Sequence, residues 1–75
     1  MTPGLQKRSI SLARHATSVA LEPEFWNVLD AMAADDGVSL AALMVRIDSE
    51  RGERPLASAC RVAALAWARQ VPISG

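Results

Sequence analysis

The chain has 75 residues, 51% of them hydrophobic and 21% charged, with eight basic and eight acidic side chains that cancel to a formal net charge of zero. That length holds one domain and no second core, and so short a chain buries only about 60% of the surface its unfolded form exposes, so association would add much to its stability. The single cysteine, Cys60, excludes an internal disulfide; the one histidine, His15, stands far from it; and no Ser/His/Asp set, metal-ligand spacing or apolar run of roughly 18 residues is present. The N-terminus carries no signal-peptide pattern. These features predict a soluble cytoplasmic domain that is not an enzyme and uses no metal or other cofactor.

Charge is unevenly placed. Before Glu22 the chain carries Lys7, Arg8 and Arg14 and no acid, and from Glu22 to Asp36 it carries Glu22, Glu24, Asp30, Asp35 and Asp36 and no base. Beyond that, Arg46, Arg51, Arg54, Arg61 and Arg69 outnumber Asp48, Glu50 and Glu53. A basic arm ahead of an acidic helix suggests that the N-terminal segment meets an anionic partner.

In chain order, residues 1–6, with Pro3 and Gly4, read as a flexible lead-in. Two similar stretches follow, Ser9-Ile-Ser-Leu-Ala13 and Ser18-Val-Ala-Leu-Glu22, and both alternate apolar with small or polar residues, the period of a strand. Ile10 and Leu12 are even-numbered, whereas Val19 and Leu21 are odd, so a single straight strand cannot keep both sets on one face and a bend or bulge is expected between Ala13 and Ala16. A first helix opens at Pro23, whose fixed φ suits the first helical position, with Glu22 and Glu24 at its positive end. Phe25, Leu29, Met32 and Ala33, widened by Val28, form its apolar stripe; Gly37 closes it with Val38 as the apolar residue just beyond, and Asp35 and Asp36 read as a solvated helix end. Ser39 caps a second helix with Leu40, Leu43, Met44 and Ile47 on its apolar face, Asp48 and Arg51 as a surface ion pair, and Gly52 at its end. After the linker Glu53-Arg54-Pro55, a third helix runs from about Ala57 to Gln70, carrying Cys60, Ala63, Ala64 and Trp67 as packing residues, and 71–75 form a tail.

A lone strand cannot form a sheet within its own chain. The strand region either folds back as a hairpin between its two halves, 8–13 and 16–21, or pairs with the same segment of a second chain about a twofold axis. The second arrangement is favoured, because it completes the strand's hydrogen bonds and merges two small cores.

The order of parts resembles a known family. Thr17-Ser-Val-Ala-Leu-Glu-Pro-Glu-Phe-Trp26 followed by Gly37-Val-Ser-Leu-Ala-Ala-Leu43 is similar to ribbon-helix-helix proteins of the Arc/Met repressor type. Lys7-Arg8-Ser9, His15 to Glu22, Ile47 to Arg51 and Ser58-Ala-Cys-Arg61 resemble the motifs of a bacterial subgroup of that family, over roughly residues 7 to 69. The resemblance implies a mainly α domain over 7–70, with one N-terminal β-strand pairing across a homodimer and three helices. It further implies DNA binding, with the shared ribbon in the major groove, a groove that admits a two-stranded β-ribbon, and a role in transcription regulation. Carried over by position, Ala16, Ser18 and Ala20, with Arg14 if the strand is regular through His15, face the bases. Lys7, Arg8 and the amides of Ser39 and Leu40 meet phosphates, while Val19, Leu21, Phe25, Leu29 and Leu43 fill the dimer core. Ala16 stands where a basic residue is expected in the subgroup. His15 reads as a turn residue, and Trp26 as a core or dimer-interface residue. The rival reading is a homodimeric protein-interaction module, or an antitoxin-like protein, that keeps the same fold with weak or no sequence-specific DNA binding.

Overall fold

The computed structural model describes residues 4–70 of the chain, so the expected lead-in over 1–3 and the tail over 71–75 lie outside the described residues. Two strands and three helices follow one another: β1 Gln6–Ser11, β2 Ala16–Leu21, α1 Pro23–Asp36, α2 Leu40–Glu50 and α3 Leu56–Gln70. β1 begins at Gln6, one residue before the domain boundary expected at Lys7.

The expectation of one strand completed only by a second chain is corrected here. β1 and β2 pair with each other, antiparallel, with Gln6 opposite Leu21, Arg8 opposite Val19 and Ile10 opposite Thr17. The physical reason lies in the change of apolar parity. Opposed residues in an antiparallel pair share a face, and in this register an even residue of β1 always meets an odd residue of β2. Ile10, Val19 and Leu21 therefore lie on one side of a hairpin, and all three are buried. The expected bend is the connection itself, residues 12–15, where the Leu12 amide donates to the His15 carbonyl at 2.8 Å. Closing so short a loop within one chain costs little entropy.

α1 starts where Pro23 sets it, with Glu22 in extended conformation before it. It ends in a left-handed Gly37, φ 70°, whose amide donates to the Ala34 carbonyl while the Val38 amide donates to Ala33. These two bonds satisfy carbonyls that the last helical turn would otherwise leave open. The buried residues of α1 are Trp26, Leu29 and Ala33, while Phe25, expected in the core, is only half-buried alongside Val28 and Met32. The helix is turned toward Trp26 because that ring finds polar partners at the sheet. Its Nε1 donates to the Gln6 carbonyl at 2.7 Å, and the Arg8 guanidinium lies 4.7 Å from its centroid.

α2 and α3 close the core. Leu43, Met44 and Ile47 of α2 and Ala59, Cys60 and Ala64 of α3 are buried, and the Cys60 thiol donates to the Met44 thioether at 3.8 Å. The small residues on α3 let it pack against α1, α2 and β2 together. The three charge segments are cross-linked by the fold: Arg8 to Asp30 at 3.1 Å, Arg46 to Asp36 at 2.6 Å and Arg61 to Glu22 at 3.0 Å. The expected Asp48–Arg51 pair forms at 2.7 Å. A backbone hydrogen bond at Glu22 itself, and then the bond from Arg61, hold the Glu22 carboxyl below its ordinary range.

Candidate nucleic-acid interface

The hairpin has two unlike faces. One carries Arg8, Ile10, Thr17, Val19 and Leu21 toward the helices. The other carries Lys7 opposite Ala20, Ser9 opposite Ser18 and Ser11 opposite Ala16. Of these outward residues only Ala20 is half-buried, and the rest are exposed. Ala13 and Arg14 form the exposed tip, flanked by His15. From Gly4 to Leu21 the chain contains no Asp or Glu, so the outward face and tip carry Lys7, Arg14 and His15 without any opposing carboxylate of their own strands.

The expected site residues divide accordingly. Ala16, Ser18 and Ala20 share the outward face with Lys7. Arg14 lies in the turn and not on the strand, because β2 begins only at Ala16. Arg8 points the opposite way: its guanidinium makes a two-pronged contact with the Asp30 carboxylate and covers the Trp26 ring. Only alternate residues of a strand share a face, so Lys7 and Arg8, adjacent in the sequence, part company. Ser9 and Ser11 were not singled out from the sequence, although their odd parity, opposite to that of Ile10, is the signal that places them outward.

The Ser39 hydroxyl accepts from the Ala42 amide at 3.0 Å and caps α2. The first backbone bond of that helix runs from Leu43 to the Ser39 carbonyl, which leaves the Leu40 and Ala41 amides at the exposed positive end. Asp35 and Asp36 lie just upstream and oppose an anion there, and Arg46 offsets the second of them. Val19, Leu21, Leu29 and Leu43 are at most 4% exposed within the single chain, where they form its own core.

The hairpin also has two edges. The Leu12–His15 bond fixes the phase of the ladder, so Arg8, Ile10, Thr17, Val19 and Leu21 direct their backbone groups between the strands. The amides and carbonyls of Ala16, Ser18 and Ala20 point away from β1 along the other edge of β2. Those of Lys7, Ser9 and Ser11 line the outer edge of β1.

Among the described residues no group of three His, Cys, Asp or Glu side chains is placed to hold a metal ion. No described helix is long and apolar enough to cross a membrane. Neither the curated proteins nor the solved structures contain a match to this chain. A family model, the ribbon-helix-helix domain, matches residues 5–68 and so spans both strands and nearly all of the third helix. A strand region, two helices joined at Gly37–Ser39 and a third helix thus carry a family signature over most of their length, and the chain belongs to the ribbon-helix-helix domain family.

Proposed function

We propose that the protein is a homodimeric duplex-DNA-binding protein acting in transcription regulation, with the outward hairpin face turned to the major groove and the N-terminus of α2 on phosphate. The observation that carries this reading is the acid-free outward face, with Lys7 at one end and Arg14 and His15 at the other. Membership of a family whose domains generally bind DNA as dimers supports it. No cofactor and no covalent chemistry enter the role.

The unpaired edge of β2 is the surface proposed for dimerisation. β2 contains no charge and no proline, the features that commonly protect an exposed edge, whereas the outer edge of β1 carries Lys7. Antiparallel self-pairing centred on Ser18 sets Ala16 of one protomer opposite Ala20 of its partner and Ser18 opposite its own copy. That register engages every free backbone group of the edge; one centred on Thr17 or Val19 leaves a residue out. Sedimentation at micromolar concentration, joined with a gel-shift titration of duplex DNA at low salt, tests the proposal. A dimer whose affinity falls steeply with salt is expected. A monomer refutes the edge, and a dimer without DNA affinity refutes the function. The latter result would favour the protein-interaction reading, for which Val62 and Leu65, 46% and 56% exposed on α3, supply an apolar surface.

A further inference from the structure

We infer that the hairpin holds duplex DNA by its phosphates and not by its base edges, with β1 as the strand that lies on the backbone. The inference rests on the DNA-binding dimer proposed above and specifies what that dimer recognises. Joining two hairpins through β2 gives a four-stranded sheet, with β2 and its copy in the middle and the two β1 strands outside. Neighbouring strands lie about 4.8 Å apart, so the outer strands stand about 14 Å from each other. The major groove is about 12 Å wide and about 8.5 Å deep, room for a two-stranded ribbon but not for this sheet. The sheet therefore rests across the groove on its two phosphate walls.

The residue types follow the same division. The central strands present only Ala16, Ser18 and Ala20, whose side chains are too short to reach base edges from the rim of the groove. The outer strands present Lys7, Ser9 and Ser11, a cation and two hydroxyl donors, all exposed. These are the groups that contact phosphate oxygens and fix a protein on the duplex without reading sequence. Arg8, the one long polar side chain within β1 besides Lys7 and Gln6, is held on the other face by Asp30 and Trp26 and is withdrawn from any base.

The test begins by selecting the duplexes that the full chain retains from a pool of random sequence, and continues with fluorescence anisotropy on three labelled short duplexes of equal length: the most enriched sequence, alternating A·T and alternating G·C. Each is titrated between about 50 and 200 mM salt. Affinities within about threefold of one another are expected, against the roughly thousandfold or greater preference of a sequence-reading protein. Lys7→Ala, with one lysine lost per protomer, is expected to weaken all three alike and to flatten the log–log salt dependence by about two units per dimer. A preference above about tenfold for one duplex, or an unchanged salt slope in Lys7→Ala, overturns the inference and leaves DNA binding standing. Absence of binding to all three at the lowest salt overturns both.

Discussion

Arg8→Ala separates a fold residue from a DNA contact, because the structure assigns this arginine wholly to the protein. Its guanidinium meets the Asp30 carboxylate through both terminal nitrogens and lies over Trp26. The ion pair is partly solvated, with side-chain exposures of 33% and 48%, so it contributes about 0.2–1 kcal/mol. The cation–π contact adds about 0.5–1 kcal/mol at such exposure. Loss of both predicts a destabilisation of about 1–2 kcal/mol. In a domain of this size that lowers the thermal midpoint by about 5–15 °C at fixed protein concentration. Urea unfolding followed by circular dichroism should show a lower midpoint with unchanged slope. A double-mutant cycle with Asp30→Ala should return a coupling of about 0.5 kcal/mol. The variant's DNA affinity should keep the wild-type salt slope. An unchanged midpoint together with a flattened salt slope would refute the assignment and return Arg8 to the DNA surface.

Other changes address the remaining joints. Gly37→Ala should cost about 1–2 kcal/mol in urea unfolding from its left-handed φ alone, because an added Cβ meets no atom within 4 Å. Ser39→Ala should cost about 1 kcal/mol through loss of the cap on the Ala42 amide. Val19→Pro removes an amide directed at β1 and should abolish the hairpin, seen as loss of cooperative unfolding. Burial pushes the Cys60 thiol up to about 11, so it should resist a disulfide reagent at neutral pH until the protein unfolds. Since its folded value exceeds the unfolded one, the stability it contributes is complete below the ordinary thiol range and is lost as pH rises toward 11, which pH-dependent urea midpoints would register.

Much of the fold was legible because local rules and packing agree. Pro23, Gly37, Ser39 and Pro55 mark the helix ends within a residue or so, each through its own backbone chemistry. The pairing of the strands was less legible. The parity change between Ile10 and Val19 shows that the chain must turn, but it does not say whether the returning strand finds its own neighbour or a second chain. Trp26 was legible as a core or dimer-interface residue, but that it would displace Phe25 from the core was hidden for a related reason. Both rings lie near the apolar stripe, and only the tertiary position of the Gln6 carbonyl and Arg8 gives the indole a reason to turn inward. The candidate site suffered most where neighbours diverge. Lys7 and Arg8 are one basic pair in composition, and the register of a hairpin set by residues much further along assigns them to opposite faces.

The connection between Leu12 and His15 has a consequence for how such a chain can change over time. A slip of one residue in the pairing of β1 with β2 would turn every side chain of β1 over, sending Ile10 into water and Ser9 and Ser11 against the helices. Two residues gained or lost together would preserve the orientation and alter only the reach of the tip. A one-residue change of loop length therefore has to be absorbed within the loop itself, as a longer turn or a bulge, for Ile10 to stay opposite Thr17.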